Sequence, residues 1–210
     1  YKERGAVQIK PLEVVKIFEE MLPKKETINV LDLGCGTGRH TLYLSKHSNF
    51  QLYSLDIAPE GVKLINEKAK EYHLSNITTV TGDFSSLPFE DNYFDAVLST
   101  KALHHGSYKN IEQYVSEITR VLKSSGLLLL VILSDKDFRS QTGKNYHGDT
   151  NTKIGCDDLP DSNLPHHFFN DFELERVFEK YSFVKRRITK RIAMTGLKLS
   201  TYYDLILKKK

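Results

Sequence analysis

The chain has 210 residues, enough for one compact domain with a substantial core. With 40% hydrophobic and 27% charged residues, 12 Gly and 6 Pro, it is neither collagen-like, nor disordered, nor of low complexity. The formal charge of +3 equals the contribution of Lys208, Lys209 and Lys210, so the body is neutral and carries no general signal for an acidic partner; the three lysines read as a solvated tail.

In chain order, Leu12, Val15, Phe18 and Leu22 recur at helical spacing between Pro11 and Pro23. Residues 28–33 (INVLDL) read as a short buried strand, followed at once by Gly34, Gly36 and Gly38 and a helical stretch to about Lys46. A second strand over 51–57 precedes a helix opening at Pro59, with Val62, Ile65, Ala69 and Tyr72 facing inward. Short strands follow at 77–80 and 94–99. The clearest amphipathic helix spans 111–122, and Gly126 then launches LLLLVIL. A strand apolar on both faces belongs in the middle of a parallel sheet covered by helices. This seven-residue run is the longest apolar one, far short of the ~18–20 residues that cross a bilayer.

From Ser134 to about Phe169 the sequence is Asp-, Asn-, Gly-, His- and Pro-rich without periodicity, which predicts an insertion or lid. Asn170 and Glu173 form a capping-box pattern ahead of a helix carrying Leu174, Val177, Phe178 and Tyr181. Two final strands, 183–189 and 202–207, have no helix-length segment between them, so a terminal antiparallel hairpin is expected. Alternating strands and helices predict an α/β, doubly wound, mostly parallel sheet with helices on both faces, in a single domain over 1–210 with the insertion at about 134–169. The polar first residues do not read as a signal peptide, and the start at Tyr rather than Met points to trimming. Cys35 and Cys156 lack close-spaced partners, which favours a reducing, cytoplasmic setting.

The chemistry concentrates at strand ends. Glycines between a strand and a helix let the backbone turn sharply and bring a ligand to amide groups at a helix N-terminus. Here the spacing is Gly-x-Gly-x-Gly; a dinucleotide fingerprint needs glycine at 39, where Arg39 stands, which argues against a nicotinamide dehydrogenase. Asp56 ends the second strand 20 residues after Gly36, where a ribose diol needs a bidentate acceptor. Gly82-Asp83-Phe84 follows the third strand, and Ser99-Thr100-Lys101-Ala102-Leu103-His104-His105 follows the fourth. All four lie at carboxyl ends of strands, the crevice where open α/β sheets bind ligands.

These segments, VLDLGCGTGRH, LDIAPEGV, GDFSSLPF and FDAVLSTKALHH, resemble the successive motifs of the class I S-adenosylmethionine-dependent methyltransferases. The resemblance implies a seven-stranded sheet in the order 3-2-1-4-5-7-6 with strand 7 antiparallel, and S-adenosyl-L-methionine as cofactor, leaving S-adenosyl-L-homocysteine as product. It places Gly34, Cys35 and Gly36 along the methionine moiety and Asp32 near its amino group. It also puts Asp56 at the ribose, Ile57 against the adenine, Asp83 and Phe84 at the adenine edge, and Thr100 under the methionine portion. Each acid also has a local reading: Asp32 and Asp83 as turn residues and Asp56 as a helix cap.

His104 and His105 are the candidate base or acceptor contacts, with a loop histidine bonded to backbone as the alternative. His147, Cys156, Asp157, Asp158, His166 and His167 crowd the insertion, yet adjacent His166 and His167 would face opposite ways on a strand, so no metal site is assigned. Residues 135–138 could border an acceptor pocket, and 164–169 serve as the insertion's return anchor, Phe168 and Phe169 fitting core better than acceptor stacking. The basic run Lys185, Arg186, Arg187, Lys190 and Arg191 reads first as a guarded sheet edge and second as a nucleic-acid surface. A small-molecule acceptor methylated on O or N is preferred. RNA or protein methylation, and a non-catalytic adenosylmethionine-binding subunit, are the alternatives. No Asn-Pro-Pro-Tyr-type segment follows the fourth strand, which weakens chemistry on base or glutamine amides. No membrane partner is expected, and the oligomeric state is left open.

Overall fold

The computed structural model describes residues 10–156, 162–192 and 198–210. Seven strands form the main sheet: β1 (Ile28–Leu33), β2 (Phe50–Asp56), β3 (Ile77–Thr81), β4 (Phe94–Thr100), β5 (Leu122–Leu133), β9 (Tyr181–Ile192) and β10 (Leu199–Lys209). Their order is β3-β2-β1-β4-β5-β10-β9. The first five pair in parallel, and β10 runs antiparallel to both β5 and β9. This is the expected order, with the terminal hairpin supplying the reversed strand.

Alternation along β5 explains why its run is apolar throughout. Leu128, Leu130 and Ile132 pack with Ile111, Val115 and Ile118 of α4 (Tyr108–Val121) and with Leu174 of α5 (Asp171–Val177). Leu127, Leu129, Val131 and Leu133 face the other layer, where α1 (Glu13–Met21) contributes Val14, Val15 and Phe18. Burying one such side chain stabilises the fold by about 1.5–3 kcal/mol, so this strand contributes to both core layers at once. Two further helices, α2 (Arg39–Leu44) and α3 (Pro59–Glu71), connect β1 to β2 and β2 to β3.

Several boundaries differ from the sequence reading. Leu122 opens β5 instead of ending α4; the register jumps from Phe94–Leu122 to Ala96–Leu127, and Ser125 takes φ +61° within the bulge. Tyr72, expected to face inward, is 45% exposed at the C-terminus of α3, with the Lys68 ammonium 5.4 Å from its ring centroid. The helix has ended there, so helical periodicity no longer applies. The insertion is not structureless. It holds a 3-10 turn (Phe138–Gln141) and a small antiparallel sheet of β6 (Lys144–Tyr146), β7 (Asp149–Ile154) and β8 (His166–His167). Short paired segments bounded by Gly143, Gly148 and Gly155 at positive φ leave no run long enough to show a period.

The three terminal lysines are no tail. β10 continues to Lys209, whose half-buried ammonium donates to the carbonyls of Thr119 and Leu122, each at 2.6 Å, at the C-terminus of α4. The backbone N–H of Lys210 donates to Lys180 O at 3.0 Å. The basic run lies on β9, an edge strand as expected. Arg186 pairs with Asp171 and with Glu175 of α5, and Arg191 pairs with Asp204 at 2.6 Å. No helix among the described residues is long and apolar enough to cross a membrane.

Lys209 satisfies helix-end carbonyls that would otherwise be left without partners. Lys209→Met is expected to lower stability by about 1–2 kcal/mol with an unchanged m value in urea denaturation.

Candidate functional site

The carboxyl ends of β1, β2, β3 and β4 meet on one rim of the sheet. The chain leaves β1 through Gly34, Gly36 and Gly38, all at positive φ between +55° and +83°. Gly34 has no room for a side chain: a Cβ there would lie 2.2 Å from the Ala102 Cβ and 3.1 Å from the Phe84 ring. Its N–H and that of Cys35 both donate to the Leu55 carbonyl, at 2.8 and 3.2 Å. Cys35 is buried, as is Cys156, and no disulfide joins them.

The loop is tied to β2 by the carboxylate of Asp56. One oxygen accepts the Gly36 N–H at 2.8 Å and the other the Ala58 N–H at 2.9 Å. A carboxylate has about four acceptor positions, so Asp56 keeps capacity for a hydroxyl pair. Asp56 thus organises the turn into α3, whose N-cap is Ala58 without a side-chain cap, and its carboxylate keeps acceptor capacity beyond these two amides. Next to it Ile57 is 68% exposed, an apolar face with nothing packed over it. Asp83 is exposed, one oxygen accepting the Ser85 N–H at 2.7 Å, and Phe84 packs edge-on against Tyr114 with centroids 5.5 Å apart.

Beneath the loop lies a buried polar chain. The Thr41 hydroxyl donates to Asp32 at 2.7 Å and lies 2.8 Å from the Ser54 hydroxyl. Burial pushes the Asp32 carboxyl up from 3.8 to about 7, opposed by its hydrogen bonds to Thr41 and assisted by the nearby Asp56 charge. The Thr100 hydroxyl is 3.1 Å from His40 Nδ1, and His40 Nε2 is buried without a partner. Burial, with Arg39 and Lys101 nearby, lowers the His40 pKa from 6.5 to about 3, so its ring is neutral.

His104 is 4% exposed, and burial, aided by His105, His166, Arg139 and Lys101, holds its pKa well below the usual histidine value. Its Nδ1 lacks a partner, and its carbonyl accepts the His167 N–H at 2.8 Å. His105 is half-buried, its ring centroid 4.8 Å from that of His166 in an edge contact. Segment 164–169 thus docks onto the loop after β4, acting as the expected return anchor. His166 and His167 face opposite ways, His166 toward His104 and His105, and His167 toward Thr152 at 2.8 Å. Phe168 and Phe169 are core, at 1% and 0% exposure. Asp137, within 135–138, is itself buried and binds Arg139 at 2.8 Å and the Thr201 N–H at 2.6 Å, fastening the insertion to β10. Asp157 and Asp158 lie outside the described residues.

Sequence reasoning missed Gly61 and His40. A Cβ on Gly61 would lie 2.5 Å from the Gly36 carbonyl oxygen, so this glycine lets the first turn of α3 approach the loop. An isolated glycine inside a helix is the signal that marks such a contact. His40 has no counterpart signal, because only the fold brings it to Thr100.

Residues 31–130 match a family model described as a methyltransferase domain. Among curated proteins, ajmaline N-methyltransferase of Rauvolfia serpentina is 33% identical over a region covering 56% of this chain and 43% of that protein. A phthiotriol/phenolphthiotriol dimycocerosates methyltransferase of Mycobacterium ulcerans is 36% identical, covering 48% of this chain and 35% of its own. The chain therefore spans less than half the length of these curated relatives. A solved SAM-dependent methyltransferase from Methanosarcina mazei superposes with a TM-score of 0.75 at 20% identity, covering 92% of this chain and 96% of that one.

Two outcomes follow from the packing and from the buried acid. Gly61→Ala should cost about 1–3 kcal/mol in chemical denaturation despite alanine's better helix propensity, because the clash is with backbone. Asp32 binds its proton more tightly folded than unfolded, so folding takes up a proton between pH about 4 and about 7 and stability falls as pH rises through that window. Asp32→Asn is expected to flatten this slope in denaturation curves across the same range.

Proposed function

We propose that the chain is a class I S-adenosylmethionine-dependent methyltransferase, a reading supported by the methyltransferase-domain match over residues 31–130 and by the fold, and that it transfers a methyl group to an O or N nucleophile of a small-molecule acceptor. The observation that carries the reading is the rim where Asp56 binds the Gly36 amide and still offers acceptor positions beside an exposed Ile57. When bound, S-adenosylmethionine supplies an electrophilic methyl group on a sulfonium.

The residues fit that cofactor. Asp56 takes the ribose hydroxyls, Ile57 covers one face of the adenine, and Asp83 with the Phe84 backbone meets its edge. Gly34, Cys35 and Gly36 line the methionine portion, Thr100 lies beneath it, and Asp32 lies near its amino group. In-line transfer asks mainly for alignment and exclusion of water. Exclusion of water falls to the insertion over 134–169, which closes onto the loop after β4 within a single domain over 1–210. Where the acceptor must lose a proton, His105 is the base, since it sits half-buried on the loop that follows β4. His104 is kept neutral and is too weak a base for that step. Its place is to hold His105 and His166 together.

The small-molecule preference is supported by the acceptor named for the ajmaline enzyme. A nucleic-acid or protein acceptor is the second reading, on the remaining cations of β9; Arg186 and Arg191 are engaged in ion pairs and contribute less to it. A cytoplasmic setting, expected from the spacing of the two cysteines, belongs to the same proposal.

Calorimetry with S-adenosylhomocysteine and NAD tests the cofactor. Saturable binding of the former is expected, weakened about 10–100-fold by Asp56→Ala with the circular dichroism spectrum retained. Saturation by NAD alone overturns the reading, and wild-type affinity in the variant removes the ribose role of Asp56.

A further inference from the structure

Lys101, at the rim, combines a left-handed backbone with a half-buried ammonium that has no carboxylate partner among the described residues. It follows Thr100 directly and takes φ +60°, a left-handed conformation that a lysine adopts only under constraint. Its N–H donates to Val131 O at 2.8 Å, which holds the turn in place. The side chain is half-buried, and its ammonium lies 4.9 Å from the centroid of the Tyr202 ring.

The surroundings are cationic. Burial lowers the Lys101 pKa, and Arg191, Arg39 and Arg139 lower it further, against the opposing influence of Tyr202. Two of these neighbours have carboxylates of their own: Arg139 binds Asp137 and Arg191 binds Asp204. Among the described residues no carboxylate lies at ion-pair distance from Lys101. A half-buried charge without a counter-ion costs free energy, and a strained residue persists where the surroundings or a ligand require it. The position is specific. Ala102, next in sequence, packs against Gly34 of the cofactor loop, and Arg139 belongs to the insertion. The ammonium therefore sits at the seam between the two parts from which an acceptor cleft would be built.

We propose that Lys101 is the specificity residue for the methyl acceptor, and that the acceptor carries an anionic group, a carboxylate or a phosphate, which pairs with its ammonium. The inference rests on the methyltransferase reading above and narrows its acceptor class. Arg139 and Arg191, each balanced by its own acid, hold the positive potential around the lysine, while the buried Tyr202 ring beneath the ammonium positions it.

The test uses the whole chain, radiolabelled S-adenosylmethionine and a panel of matched small molecules, each acid or phosphate ester paired with its amide or neutral ester. Label is expected on the anionic members. Lys101→Met should lower kcat/KM for them by about 30-fold or more while S-adenosylhomocysteine affinity stays within about twofold. Equal labelling of charged and neutral members, or an unchanged rate in the variant, overturns the proposal. Loss of S-adenosylhomocysteine binding in Lys101→Met, with 5′-methylthioadenosine binding retained, assigns the ammonium to the cofactor's own carboxylate and also overturns it.

Inorganic phosphate, titrated with and without S-adenosylhomocysteine, covers the case in which no panel member accepts label. A saturable shift of the nitrogen-labelled Lys101 side-chain resonance, absent in Lys101→Met, supports the proposal, and no shift overturns it. Lys101→Asn adds a readout of structural role: asparagine tolerates the left-handed region, so the melting temperature should rise while phosphate binding is lost. A fall in melting temperature for both variants assigns Lys101 to the fold and overturns the proposal. Absence of S-adenosylhomocysteine binding in the wild type instead sinks the methyltransferase reading, whatever the phosphate titration shows.

Discussion

The bond from the Gly36 N–H to the Asp56 carboxylate, 2.8 Å long, is the constraint on which the rim depends. It joins the loop after β1 to the end of β2, so two strand ends become one surface. Everything nearby is shaped to permit it. Gly34 must lack a side chain to pass Ala102, and Gly61 must lack one to let α3 approach the Gly36 carbonyl. The interaction is charge-assisted and partly buried, so it is stronger than a neutral amide bond. It also pre-orients the acceptor positions that remain on Asp56, which reduces the ordering cost of any ligand that uses them.

The insertion is held by a different kind of contact. Asp137 binds a guanidinium and a backbone amide of β10, and at the other end the Phe169 amide donates to Leu133 O of β5, so both ends of the segment are fixed to the main sheet. Asn151 donates to Glu173 at 2.9 Å, and Glu173 also completes the capping box of α5 with Asn170. The insertion is thus a small built layer beside the rim, and its histidines are mostly consumed in building it.

Much of this was legible in the sequence because its signals are local and periodic. The glycines at 34, 36 and 38, the both-faces-apolar run of β5 and the Asn170–Glu173 cap each follow from a rule about backbone geometry or burial within a few residues. The β6–β7–β8 layer was not legible, since its strands have three, six and two residues and no alternation survives at that length. Nor was the fate of Lys209, which depends on a helix end far away in sequence. At the site, Asp56 and Ile57 could be placed by spacing after a strand. The burial of His104 could not, because adjacent histidines look alike until the fold packs the return segment of the insertion against them.

The position of β10 has a consequence for how the molecule is made. It lies between β5 and β9, and it is the last strand in chain order. While the ribosome is still producing that strand, β5 offers an unpaired edge along Leu127–Leu133, apolar on both faces and of the kind that invites pairing with another chain. β9 cannot cover that edge, because its own partner in the sheet is β10. The hairpin therefore closes the sheet as one late unit. A nascent chain stalled before residue 199 would lack the strand that covers this edge of β5 and would leave it open to pairing with a neighbour.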